Sequence, residues 1–215
     1  MTTSSTPSPV RGKPRARGTD VSGAGGRGRD SRAAILEAAQ ALLLESGIEG
    51  MSIRKLGRRC GYTAPTIYHH FGDKAGLVAA VVDERFREVH EVMLSIPRGG
   101  DAARYLNDVA RAFLEFALEN PEHYRLLSLP GLEPGSIPSA ESAREMVKDA
   151  LEQLAREGTL ATRDIDAAYE TTWAMLHGLI SLRLTRPEYP FSDQMIELAF
   201  QMMEGGLLRR GALPR

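Results

Sequence analysis

Residues 52–77, SIRKLGRRCGYTAPTIYHHFGDKAGL, constrain the fold more than any other stretch, because their breakers leave room for little but two short helices and the start of a third. Ser52 is an N-cap type residue, and Ile53, Leu56 and Cys60 follow at helical spacing, which predicts a two-turn helix with one apolar stripe. Gly61 stops that helix. Thr63 offers a second cap, and Pro65 falls in the first turn of the next helix, where a missing N–H removes no intrahelical bond. This second helix ends near His70. Gly72 and Asp73 break and recap the chain, and Lys74 opens a longer helix whose early apolar residues are Leu77, Val78 and Val81.

Only Ile67 and Phe71 fit a core in residues 63–71, which leaves Thr66, Tyr68, His69 and His70 to face outward. In a helix-turn-helix the second helix enters the major groove with its N-terminal residues on base edges, while the preceding helix crosses the backbone. Arg54, Lys55, Arg58 and Arg59 lie on that preceding helix. The pattern therefore predicts a DNA-reading unit. Thr63, Ala64, Pro65, Thr66 and His69 are the positions from which base edges or thymine methyls are reached. Lys74 begins a helix, where free N–H groups and its own ammonium together attract phosphate. Ser52, Arg54 and Lys55 complete the candidate DNA-binding set with Tyr68 and His70.

The run TIYHHFGDKAGL, following S-I-x-x-L-x-x-x-C-G-Y-T, resembles the signature of the TetR family of bacterial repressors. With the helix before it, SRAAILEAAQALLLESGIEGMS, the resemblance covers residues 31–78. It implies that Tyr68 and His70 approach phosphates. Trp173, His177, Gly178 and Leu179, with the segment PEHYRLLSL, resemble the Trp-His-Gly class of TetR-family C-terminal domains, which extends the likeness more weakly over about residues 100–200. The motif identifies no ligand.

At 215 residues, 42% hydrophobic and 26% charged, the composition is that of a soluble globular protein. No run of eighteen apolar residues occurs and the N-terminus lacks an apolar core segment, so neither a membrane span nor a secretory signal is expected and the protein should be cytoplasmic. Cys60 is the single cysteine, which excludes an intrachain disulfide and a cysteine metal cluster; its spacing makes it a core thiol rather than a redox switch. The net charge of −1 conceals a division along the chain. Residues 1–30 carry six basic and two acidic side chains, residues 31–78 six and four, and residues 79–215 fifteen and twenty-two. A positive front and an acidic back suit a nucleic-acid reader joined to a domain with another task.

Residues 1–30 are built of Ser, Thr, Pro, Gly and Arg, and bury too little to offset ordering entropy, so a disordered tail is expected. Its six basic residues are either a minor-groove arm or a solvating tail. In residues 31–46, Ile35, Ala38, Ala39, Leu42 and Leu43 recur at helical spacing, and Gly47 closes the helix. The helix from Lys74 runs to about Ile96, long enough to link two domains. Further helices are expected at residues 101–119, within PEHYRLLSL, and at 139–157, 166–186 and 192–210, and no segment alternates as a strand would. The predicted fold is all-α: a tail at 1–30, a three-helix reading domain at 31–78 and a helical ligand-binding and dimerisation domain at 79–210.

The last two helices carry long uncharged stretches such as TTWAMLHGLIS, as a helix buried on most sides does. A subunit interface is the expected use, formed by Thr172, Met175, Leu179, Leu182, Met195, Leu198, Ala199 and Met202 against their symmetry mates in a homodimer. A pocket for a small-molecule effector is expected among residues 79–186, with Phe86, Phe113, Phe116, Tyr124, Met146, Trp173 and His177 as candidates; all seven also fit ordinary core. His177 reads first as a hydrogen-bonded core histidine. The histidines lack carboxylate or cysteine partners at ligand spacing, and no nucleophile elbow or phosphate loop occurs, so neither metal, cofactor nor catalysis is expected. Together these features predict a ligand-responsive repressor that binds a palindromic operator as a homodimer and is released by a small-molecule effector. The alternative is a helical interaction protein that dimerises without binding DNA, which would have no use for the basic and aromatic set on residues 54–74.

Overall fold

The computed structural model describes residues 24–132, 135–192 and 194–209, and the side chains from residue 30 onward. Those residues form α1 (Ala24–Gly50), α2 (Ile53–Cys60), α3 (Ala64–Phe71), α4 (Lys74–Leu94), α5 (Ala102–Glu119), α6 (Pro121–Leu127), α7 (Pro138–Arg156), α8 (Ile165–Thr185) and α9 (Met195–Leu207). Apart from one isolated bridge between Leu160 and Leu208, no strand pairing occurs among them. The fold is all-α, as expected.

Helix α1 starts at Ala24, ahead of the expected residue 31, so the end of the segment expected to be disordered is helical. Residues 1–23, where the rest of the basic tail was placed, lie outside the described residues. Gly47 interrupts the helix with φ 65°, as its position in the sequence indicated, and a last turn then resumes to Gly50.

Capping sets the other boundaries. Ser52 accepts from the Lys55 N–H at 3.3 Å, Asp73 from Gly76 at 2.7 Å and Asp164 from Ala167 at 3.0 Å, each satisfying a donor the helix cannot. The α2–α3 turn passes through Gly61 at φ 76°, a left-handed conformation that costs a glycine nothing. At the next junction the backbone folds so tightly that a Cβ on Gly76 would lie 2.3 Å from the Phe71 carbonyl oxygen. Only a residue without a Cβ allows that approach, by which the end of α3 packs against the start of α4.

Two cores organise the chain. The front core joins Ile35, Leu43, Leu56, Ile67, Leu77 and Val81, so that α1, α2, α3 and the first half of α4 enclose one apolar centre. Leu126 from α6 and Ile137 from just before α7 are buried in it as well. The second core gathers α5, the far half of α4, α7, α8 and α9 around Val89, Phe113, Leu114, Ala150, Ile180 and Phe200. Phe86 packs against both. Helix α4 is thus not the only continuous element between the two, because α6 packs against α1 and α4 in front and α5 behind.

Candidate nucleic-acid interface and effector cavity

Helix α3 buries Ile67 completely and turns the opposite face outward. Thr63, Ala64, Pro65, Tyr68 and His69 are exposed, and Thr66 is half-buried. The Thr63 and Thr66 hydroxyls lie 2.9 Å apart, a pair that can donate to or accept from a base edge at the helix N-terminus. Thr63 makes no side-chain cap bond, which leaves its hydroxyl for that pairing.

His70 departs from the expected outward set. It is half-buried, and its Nε2 lies 2.9 Å from the Ser31 hydroxyl on α1. Beside it the Arg32 guanidinium sits 5.5 Å over the Phe71 ring, which places a cation near the same edge. The reason is the helical period: His70 lies three residues after Ile67 and so leans toward the core side that α1 covers.

The basic residues of α2 divide. Arg59 donates to both carboxylate oxygens of Glu45, at 2.7 and 2.8 Å, and Lys55 donates to the Gly50 carbonyl at 2.7 Å. Arg54 and Arg58 are exposed and have no acidic partner among the described residues. Lys74 is half-buried at the first position of α4, with the Asp73 carboxylate turned into the cap. Ser52, expected in the DNA-contacting set, has its hydroxyl engaged in capping α2.

Behind the front core, α4, α5, α7 and α8 line a partly open cavity of about 140 Å³. Phe86, Phe113, Trp173 and His177 line it, together with Arg144 and Tyr169, which the periodicity of α7 and α8 gave no reason to single out. Phe116, Tyr124 and Met146 do not line it, contrary to expectation. Phe116 stands edge-on to His123 at 5.7 Å, Met146 packs on the second core, and Tyr124 lies behind His177. The Tyr124 hydroxyl is 3.1 Å from His177 Nδ1 and 3.2 Å from the His177 carbonyl oxygen. Burial among the Trp173, Phe113 and Tyr124 rings lowers the His177 pKa to about 4, so its imidazole is neutral at pH 7. The Arg144 guanidinium is held by Glu141 at 2.5 and 2.8 Å.

On α8 and α9, Leu182, Leu198 and Met202 are 46%, 56% and 63% exposed, and Met195 and Ala199 are half-buried. Trp173 is also exposed, at 52%. Thr172, Met175 and Leu179 turn inward instead: Met175 and Leu179 pack on the second core, and the Thr172 hydroxyl donates to the Ala168 carbonyl at 2.9 Å.

Residues 35–81 match the profile of bacterial regulatory proteins of the tetR family, and residues 106–204 match that of the tetracyclin repressor-like C-terminal domain. The chain belongs to the TetR family. Among relatives of this TetR-family chain, the tetracycline repressor protein class A from transposon 1721 of Escherichia coli is 31% identical over 143 residues, 66% of this chain and 64% of that protein. The HTH-type transcriptional repressor AcnR of Corynebacterium glutamicum is 34% identical over 106 residues, 49% of this chain and 50% of AcnR. The chain thus spans less than two thirds of the length of either relative. A TetR family transcription regulator from Marinobacter aquaeolei superimposes with a TM-score of 0.70 at 23% identity, over 86% of this chain and 99% of that one. NalD, the secondary repressor of the MexAB-OprM multidrug efflux pump in Pseudomonas aeruginosa, superimposes with a TM-score of 0.63, also at 23% identity, over 86% and 99%. The C-terminal match does not divide the family further, so the Trp-His-Gly class stays a resemblance carried by Trp173, His177, Gly178 and Leu179.

Proposed function

We propose that the protein is a transcriptional repressor that binds operator DNA as a homodimer and releases it when a small molecule occupies the cavity behind α4. The observation that carries the reading is the outward face of α3. Thr63, Ala64, Pro65, Tyr68 and His69 stand clear of the protein there, with Arg54 and Arg58 on α2 free of acidic partners among the described residues and Lys74 at the start of α4. Hydroxyls and an imidazole flanked by cations suit base edges between two lines of phosphate. The repressor names of the two curated relatives agree with it.

In this reading residues 31–78 form the DNA-reading unit and residues 79–210 the sensing and dimerising part, and the protein acts in the cytoplasm. Leu182, Leu198 and Met202 meet their symmetry mates in the proposed dimer. A near-palindromic operator then requires its two α3 helices to enter major grooves about 34–36 Å apart or a multiple of this. Selection of bound sequences from random DNA tests the reading directly. An enriched near-palindrome with two half-sites supports it; protein that retains no DNA at low salt overturns it in favour of a dimerising protein without DNA binding.

A further inference from the structure

The cavity behind α4 has a chemistry of its own, and its meaning rests on the reading of that cavity as the effector site. We infer that it takes a neutral, single-ring aromatic molecule carrying one hydrogen-bonding substituent, a phenol being the simplest member of the class.

Size is the first argument. An apolar protein cavity of about 150 Å³ holds one benzene, whereas pockets for drug-sized ligands run to about 300–1,000 Å³. At about 140 Å³ this cavity matches one ring with a small substituent and falls well short of the space that drug-sized ligands fill.

Shape is the second. Phe86, Phe113, Trp173 and the His177 imidazole all face the space. The Trp173 and Phe113 rings lie 4.5 and 5.7 Å from the His177 ring at tilts of 43° and 44°, spacings at which aromatic pairs attract. A flat ring entering there finds aromatic faces and edges on several sides.

Charge is the third. The one cation among the described residues of the wall, Arg144, already has its Nε and Nη2 on a Glu141 carboxylate oxygen, so the lining offers no uncompensated charge. A ligand anion would have to share Arg144 with Glu141, and a ligand cation finds no carboxylate among the described residues of the wall, so neither has a dedicated counter-ion there.

The polar substituent has a partner in His177. Tyr124 engages Nδ1 and the histidine's own carbonyl from behind, and no described residue bonds Nε2. That nitrogen is a donor in one neutral tautomer and an acceptor in the other, and a phenolic hydroxyl can answer either. The Tyr169 hydroxyl, likewise without a hydrogen bond to the described residues, is the second polar group on the wall.

The test uses the full chain and its single tryptophan, Trp173, whose emission reports the cavity. Phenol, benzoate and naphthol are titrated separately, with no DNA present. A saturable response to phenol, at least about tenfold tighter than to benzoate or naphthol, supports the inference; the benzoate difference reads the charge and the naphthol difference the fit of a second ring, and tenfold corresponds to about 1.4 kcal/mol. Ala110→Leu, which pushes a branched side chain into the cavity, should remove the response while thermal unfolding stays cooperative. His177→Phe keeps the aromatic wall and deletes Nε2, and should weaken phenol about tenfold. Equal or tighter binding of benzoate or naphthol, a phenol response that survives Ala110→Leu, or no saturable phenol binding each overturns it. Operator affinity is measured in a separate gel shift. Phenol that binds the protein but leaves operator affinity unchanged supports the cavity chemistry and removes only the ligand-responsive part of the proposed function.

Discussion

The Ser31 hydroxyl and His70 Nε2 meet at 2.9 Å, tying the N-terminal part of α1 to the last turn of α3. Ser31 is buried to 7% exposure and His70 is half-buried, so the bond is partly shielded from water and braces α3 against α1. Ser31→Ala and His70→Ala should each lower operator affinity by a similar factor for all sequences, because they loosen the reading helix without touching a base. A double-mutant cycle on thermal or denaturant unfolding should show a coupling of about 0.5–1.5 kcal/mol. Strictly additive effects would mean that the two side chains act independently.

The basic residues near α3 should separate in their salt dependence. Lys74→Ala and Arg58→Ala should each flatten the slope of log affinity against log salt by about one unit, as expected for one lost phosphate contact. Arg59→Ala should change it much less, since both Glu45 oxygens already hold that guanidinium. Thr66 and His69 substitutions should shift base preference rather than the slope. Equal slopes for the Arg58 and Arg59 variants would show that the Glu45 pair opens on DNA.

Dimerisation should fail when charge is placed on the exposed face of α8 and α9. Leu198→Glu or Met202→Glu should yield monomers by light scattering with little change in monomer stability, because both side chains are more than half exposed in the isolated chain. Leu179→Glu should instead destabilise the fold, since Leu179 packs on the second core. A dimer that survives both surface substitutions places the interface elsewhere.

Acid should cost stability through His177 before the carboxylates matter. Its folded pKa of about 4 lies below the ordinary 6.5, so between those values the unfolded chain binds a proton that the folded one does not. Stability is then fully present above pH 6.5 and falls as the pH drops toward 4, by up to about 3 kcal/mol for a shift of this size. His177→Phe should remove that part of the pH dependence. Asp166 and Glu197, held below the usual carboxylate range by bonds to Lys148 and Arg111, act in the same direction but at lower pH. Denaturant melts across this range check the prediction; an unchanged profile in His177→Phe would contradict it.

Leu126 should matter to DNA binding although it lies on α6, far along the chain from the reading helices. It is fully buried in the front core with Ile35, Leu43 and Leu77. Leu126→Ala should destabilise the protein by about 2–5 kcal/mol. Leu126→Met, which keeps the volume, should leave the fold intact and alter the change in operator affinity caused by an effector. An effector response identical to the original would show that packing at Leu126 does not carry the coupling.

The succession of helices was legible because it depends on local chemistry. Ser52, Gly61 and Asp73 satisfy or release backbone groups within a few residues of themselves, so their effect can be read wherever they stand. The burial of Ile67 beneath an exposed Thr63, Tyr68 and His69 followed for the same reason, from the period of a single helix. What joins separate helices carried no local signal. Ser31 and His70 are 39 residues apart, Glu45 and Arg59 are 14 apart, and Tyr124 and His177 are 53 apart. Amphipathic periodicity shows that a residue faces inward without saying which neighbour it meets, so Phe116, Tyr124 and Met146 could not be told from cavity lining, nor Leu126 from the second core. Sequence alone determined the elements and most of the outward face of α3; the packing of α1 on α3, and of α4, α5, α7 and α8 on one another, decided which side chains brace that face and which line the cavity, because those contacts join residues far apart in the chain.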